Sequence, residues 1–293
     1  MAKVVASCVN SSVVMNSPRG TFSGTNGHAC GCLVDNARRP QPTIYNPAVP
    51  ISPVTIVKTT DLHVPETHFG RWFLNTTIWA QYVLEPAIKE LERLIPERRD
   101  SYPIIVDIGC GSGRSFKMLF DRFAPQRLIG VDIDPGMIAV ATSRAAKDGV
   151  SVEFMCGSSS RLALPDGYAD IVFCHQTFHH LVDQENALRE FHRVLKPGGM
   201  LFFAESTRRY IHSWIIKLLF RHPMDVQRTA QEYLAMVRNA GFQVADTQVS
   251  YPYFWWSRDD IGIKQYCLRI PPAPQGKREE TVISLVGVRA EAN

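Results

Sequence analysis

At 293 residues the chain can hold one large domain with decorations, or at most two, and one is expected. With 45% hydrophobic and 20% charged residues it has the make-up of an ordinary soluble globular protein with a sizeable core. A net charge of +4 with no clustered basic stripe argues against a nucleic-acid partner, and no apolar run is long enough to span a membrane as a helix.

Residues 1–60 are poor in acids, rich in Ser, Asn, Gly and Pro, and show no sustained period. They are expected to be disordered or to serve as a targeting segment, with cytoplasmic residence as the default. The seven cysteines are an odd, scattered set that reads as reduced thiols, and Cys30 and Cys32 are too close for a CxxC pair. No metal site is assigned. From His68 onward Trp72, Phe73, Ile78, Trp79, Tyr82, Val83, Ile88, Leu91 and Leu94 recur at helical intervals. Residues 61–100 are therefore read as a helical cap, one long helix or a pair broken near Pro86, ahead of a main domain over 101–293.

In that domain strands and helices alternate. Strands are expected at 104–108, 127–132, 152–156, 169–174 and 199–204, with helices at 115–123, 135–148 and 184–195. This order predicts an α/β fold, doubly wound on a mostly parallel sheet, with ligands at the carboxyl ends of the strands. A helix over 229–240 then leads to strands at 243–250 and 281–289.

The first strand runs into Asp107-Ile108-Gly109-Cys110-Gly111-Ser112-Gly113-Arg114. Glycines there let the backbone turn sharply and let a ligand come close. The dinucleotide pattern G-x-G-x-x-G is not met, because Arg114 follows Gly113 directly. An acid at Asp107 would repel a pyrophosphate but suits a cofactor carrying ammonium and sulfonium charge. Further landmarks follow in order: Gly130-Val131-Asp132-Ile133-Asp134, Leu164-Pro165-Asp166-Gly167, Phe178-His179-His180-Leu181, and Arg193-Val194-Leu195-Lys196-Pro197-Gly198-Gly199.

On these motifs, over roughly residues 100 to 250, the chain resembles the class I S-adenosylmethionine-dependent methyltransferases of the ubiquinone/menaquinone type. The resemblance implies a seven-stranded Rossmann-like sheet whose last strand is antiparallel, S-adenosyl-L-methionine as cofactor, and methyl transfer as activity. It places Asp132 at the cofactor ribose and Asp107, Gly109, Cys110, Gly111, Gly113, Ile133, Ser158, Ser159 and His175 around the cofactor. Where that family often has Gly-Asp after the third strand, this chain has Gly157-Ser158-Ser159-Ser160, so adenine recognition would lose a charge.

His175, His179 and Glu205, at the ends of the fourth and fifth strands, are the candidates for a base or an orienting group. His180 is read as structural. Segments 207–224 and 251–280 are expected to be lid insertions, the first an apolar helix studded with basic residues and able to touch a membrane surface. Trp214, Tyr253, Trp255 and Trp256 are the substrate-binding candidates, and their character points to a small hydrophobic acceptor. A non-catalytic S-adenosylmethionine-binding or partner-regulating protein is the alternative, with a nicotinamide-dependent oxidoreductase behind it. Oligomeric state is left open.

Overall fold

The computed structural model describes residues 66–258 and 262–291. The expectation for residues 1–60 and the cysteines Cys8, Cys30 and Cys32 lie outside the described residues.

The β-rich core follows from short, almost wholly apolar runs. Strands β1 (Ile104–Ile108), β2 (Arg127–Asp132), β3 (Glu153–Cys156), β4 (Ala169–His175) and β5 (Leu195–Ser206) pair in parallel in the order β3-β2-β1-β4-β5. Runs buried on both faces are what a helix-covered parallel sheet requires. In β5, Leu201 and Phe203 enter one core cluster and Met200, Phe202 and Ala204 the other, so alternate residues feed opposite faces. Because the chain moves outward from β1 in both directions, a crevice forms at the carboxyl ends between β1 and β4.

The amino-terminal cap is α1 (His68–Leu74), α2 (Thr77–Trp79), a π-helical turn (Ala80–Leu84) and α3 (Glu85–Arg93). The expected break near Pro86 takes the form of that wide turn. Pro86 has no N–H to return to the Tyr82 carbonyl four residues back, and that carbonyl accepts the indole N–H of Trp256 at 2.9 Å. Ile88 and Leu91 of α3 join the same core cluster as Phe116 and Leu119 of α4 (Phe116–Phe123) and Ala141 of α5 (Pro135–Asp148). Helix α5 starts on Asp134, whose carboxylate accepts the Gly136 N–H at 2.7 Å, and ends at Gly149. On the other face, Phe191 of α6 (Gln184–Val194) packs with Phe178, Phe203 and Tyr233.

The lid segments differ from expectation. The apolar helix expected in 207–224 is broken at His212–Ser213 into two short pieces, α7 (Arg208–Ile211) and α8 (Trp214–Leu219). After α9 (Ala230–Asn239), the strand expected over 243–250 is interrupted by a turn at Asp246–Gln248, leaving β6 (Phe242–Gln243) and β7 (Val249–Ser250). The Gln248 side chain folds back to accept from the Ala245 N–H and to donate to the Val286 carbonyl, replacing the lost ladder bonds. Apart from α10 (Ile263–Tyr266), the described part of 251–280 forms no helix or strand. The last strand, β8 (Val282–Arg289), runs antiparallel to β5, β6 and β7, so an eighth short segment joins the seven-stranded plan.

Gly113 shows how tightly the first turn packs. Its φ is +73°, and a Cβ there would lie 2.5 Å from the Phe116 ring. Gly113→Ala is expected to cost about 2–4 kcal/mol, from left-handed strain plus overpacking. Urea unfolding with wild-type stability would show that the turn relaxes freely.

Candidate cofactor and acceptor site

Four strand ends bring the predicted groups to one edge. The Asp132 carboxylate closes β2, with one oxygen accepting the Gly111 N–H at 2.8 Å and the other accepting the Asp134 N–H at 2.9 Å. A carboxylate only accepts, through about four positions on its two oxygens, which suits hydroxyl donors. Above it the glycine turn is open: a Cβ on Gly111 would meet nothing nearer than the Gly109 carbonyl at 4.0 Å, although its φ is +51°. A bare backbone beside an anchored carboxylate is the cradle that a polyhydroxylated ligand needs.

Asp107 sits beneath this turn rather than in the open, buried, with the Ser115 hydroxyl donating to it. Burial, reinforced by the charge of Asp132, raises its carboxyl to about 7 despite the Ser115 bond. Cys110 is also buried, and burial pushes its thiol up, so it lines the turn as an inert group. The Ile133 carbonyl faces the Cys156 thiol, the Ser158 hydroxyl pairs with Ser160 at 2.8 Å, and Ser159 is buried. Arg114, the residue that breaks the dinucleotide pattern, donates to the Asn75 carbonyl and ties the glycine turn to the cap.

The loop after β4 is organised by Glu205, which is fully buried. Expected just past the fifth strand, it lies within β5, opposite Ile283 of β8. One oxygen accepts from the Thr177 N–H at 2.9 Å, the Phe178 N–H at 2.8 Å and the Cys174 thiol at 3.6 Å. The other lies 2.7 Å from Nδ1 of His179. An anion that only accepts fixes a proton of that imidazole on Nδ1. Saturated this way, Glu205 orients the loop instead of collecting a proton from a ligand. His175 is buried beside Trp79, at 5.6 Å between ring centres, and burial together with His179 drives it down to about 3. It stays neutral and is a poor base at physiological pH.

The four aromatic candidates do not converge. Trp256 anchors the cap through Tyr82, and Trp255 is half-exposed with its ring 6.5 Å from that of Tyr82. Tyr253 packs under Arg278 at 4.0 Å, beside a 410 Å³ cavity also lined by Arg209, Arg258 and Lys264. Trp214 is 63% exposed at a 300 Å³ cavity next to Arg208 and Arg209. Neither cavity contains a residue of the glycine turn. Sequence reading missed the contacts of Trp79 with His175 and of Tyr82 with Trp255, Arg114 as a tether, and His222, whose ring stacks on His180 at 4.8 Å. The helical periodicity at 79 and 82 was visible, but not the side it faces.

Residues 106–203 match the methyltransferase domain family, and these span β1 to β5 with the glycine turn, Asp132 and His175. This stretch of the chain is similar to the methyltransferase domains of S-adenosylmethionine-dependent enzymes. Over 154 residues it is 32% identical to a ubiquinone biosynthesis O-methyltransferase of Pseudomonas syringae pv. tomato, covering 48% of this chain and 65% of that one. Over 101 residues it is 37% identical to a demethylmenaquinone methyltransferase of Thermus thermophilus, covering 34% and 46%. The chain thus spans just under two thirds of the first relative's length. A solved S-adenosylmethionine-dependent methyltransferase from Aquifex aeolicus shares the fold at 18% identity and a TM-score of 0.53, over 75% of this chain and 96% of that one. These likenesses do not favour nicotinamide chemistry.

Two predictions follow from the buried groups. Glu205→Ala leaves the Thr177 and Phe178 amides without their partner and is expected to cost about 3 kcal/mol or more in chemical unfolding. The second concerns acid. His175 and His222 both drop from 6.5 to about 3 in the fold, so between those values the unfolded chain binds protons that the folded chain does not. Each costs about 1.4 kcal/mol of stability per pH unit of acidification. Asp107, raised from 3.8 to about 7, keeps a proton in the fold that the unfolded chain has lost, and offsets one histidine. In cofactor-free protein Asp107→Asn should therefore lose stability more steeply on acidification below about pH 6.5, by about 1.4 kcal/mol per unit. A slope equal to wild type would contradict a raised Asp107.

Proposed function

We propose that this protein transfers a methyl group from S-adenosylmethionine to a small hydrophobic acceptor. The observation that carries the reading is the anchored Asp132 carboxylate beside the open face of Gly111, inside the stretch that matches the methyltransferase domain. Asp132 would hold the ribose hydroxyls. The turn around Gly109–Gly113 would lie along the cofactor's amino-acid part, with Asp107 supplying negative potential from below. Ser158 and Ser159 would border the adenine with neutral donors and acceptors.

The cofactor supplies a methyl group already activated on a positively charged sulfur. The protein's part is to align the acceptor in line with that methyl and to keep water out. Trp79 against His175, with Tyr82, Trp255 and Trp256 beyond, makes an aromatic wall suited to an apolar acceptor. The ubiquinone- and menaquinone-pathway names of the relatives agree with an acceptor of that kind. Since His175 stays neutral and Glu205 is saturated, activation of the acceptor by proton transfer falls to the histidines at 179 and 180.

Isothermal titration with S-adenosylmethionine and S-adenosylhomocysteine is expected to give micromolar binding that Asp132→Ala weakens by about tenfold or more, as loss of a charge-assisted bond implies. No binding by folded protein would overturn the reading. A cationic ligand favours ionised Asp107, so affinity should rise with pH through about 7, with proton release, and Asp107→Asn should flatten that dependence. Trp255→Ala should raise the KM for the acceptor while leaving cofactor affinity within about twofold, whereas loss of both would make Trp255 a structural residue.

A further inference from the structure

His179, His180 and His222 come together although they belong to separate segments. The first two form the single turn after β4 (Phe178–His180), and His222 lies between α8 and the turn Met224–Val226. Their ring centres are 4.3, 4.8 and 5.1 Å apart, and one ligating atom from each lies within 4.8 Å of the others. All three are largely sequestered from solvent, with side-chain exposures of 3%, 16% and 6%. A carboxylate completes the group: Glu66 Oε1 is 3.8 Å from His180 Nε2 and 4.0 Å from His222 Nε2.

Three imidazoles can pack together as flat, half-polar rings with no further purpose. Two observations go beyond packing. First, His179 has its Nδ1 against the buried Glu205 carboxylate at 2.7 Å, which leaves Nε2 as the ring atom that can ligate. A carboxylate behind a histidine is the usual outer support of a metal-bound imidazole. Second, the Glu66 carboxylate, itself only 11% exposed, faces two of the three rings, so that four ligand atoms from three separate segments converge on one small volume.

We propose that His179, His180, His222 and Glu66 form a binding site for one first-row divalent cation of the zinc class. Three imidazole nitrogens and one carboxylate oxygen suit zinc, cobalt or nickel and do not suit magnesium or calcium, which take oxygen sets. Bonds of about 2.0–2.1 Å set tetrahedral donors about 3.3 Å apart, so closing from 4.8 Å asks for ring movements on the order of 1 Å. The cation would fasten three pieces of chain: the start of the cap at Glu66, the loop after β4, and the segment after α8. The same pieces already meet through Thr67 Oγ1 donating to the Leu219 carbonyl at 2.7 Å and Gln227 Nε2 donating to the His179 carbonyl at 2.8 Å. The site would lock the cap over the sheet edge, next to the loop that faces the acceptor. It goes beyond the methyl-transfer reading and does not depend on it.

The test uses the full chain, stripped with a chelator and titrated with Co²⁺ in the absence of cofactor. The expected result is one Co²⁺ per chain with visible ligand-field bands of nitrogen and oxygen coordination, displaced by Zn²⁺, and a higher Tm for the loaded protein. His222→Ala should weaken binding by about 100-fold and Glu66→Gln by about tenfold, while a Cys30→Ser, Cys32→Ser double variant should leave it unchanged. Circular dichroism and the metal-free Tm would show that both site variants fold; if His222→Ala does not, Glu66→Gln decides. The proposal is overturned by the absence of stoichiometric cobalt binding. It is equally overturned by binding that both site variants leave intact, or by a sulfur-to-cobalt charge-transfer band, which would move the ion to the cysteines. None of these outcomes touches the titration with S-adenosylmethionine.

Discussion

A fully buried carboxylate, Glu205, governs the geometry of everything after β4. Removing such a group from water is costly unless nearly every lone pair finds a donor, and here two backbone amides, a thiol and an imidazole supply them. The result is a loop whose shape is over-determined. Gln176 is held at a φ of +50°, its side-chain oxygen accepts the Ser206 hydroxyl at 2.6 Å, and the Thr177 hydroxyl lies 3.3 Å from the Gly109 carbonyl. The glycine turn and the histidine loop are thereby positioned against each other from inside the sheet, without relying on exposed contacts.

The second constraint is the outward growth of the sheet from β1. It forces the carboxyl ends of five parallel strands onto one edge, which is why residues as distant as Asp107, Asp132, Ser158, His175 and Glu205 come to that edge. The antiparallel β8 then seals β5 and sets Glu205 opposite Ile283, completing the burial of the carboxylate. Charge at this edge is arranged in depth. Asp132 is partly buried and tethered by amides, whereas Asp107 is fully buried and its carboxyl is raised to about 7 by desolvation. Two acids close in sequence pattern therefore have different chemistry.

The cap is a third layer with a logic of its own. Pro86 leaves the Tyr82 carbonyl without its helical donor, and Trp256, from the far end of the chain, supplies an indole N–H instead. Arg114 reaches Asn75 from the glycine turn, and Phe220 packs edge-on against Phe69 and Phe73. The cap is thus bound to the glycine turn, to the 251–258 segment and to α8, three segments that also border the site. Any movement that admits a ligand has to break or carry these contacts together.

Much of this was legible in the residues themselves. Apolar runs at 104–108, 127–132 and 169–175, the glycine turn, Asp134-Pro135 at the head of α5 and the Lys196-Pro197-Gly198-Gly199 entry to β5 are local signals, because strand burial, turn conformation and helix capping depend on near neighbours. From them came the fold and the residues at the sheet edge. What local pattern could not decide was the company each side chain keeps. Glu205 read as a base or an orienting group, and its partners lie within the protein; the indole of Trp256 bonds to a proline-broken helix, a partner no local pattern gives; the strand at 243–250 read as continuous and is broken by a turn. Glu66, His179, His180 and His222 carry no shared spacing at all. Only the packing of the cap and α8 across the end of β4 brings them within a few ångströms, since burial and partner choice are set by contacts between segments far apart in the chain.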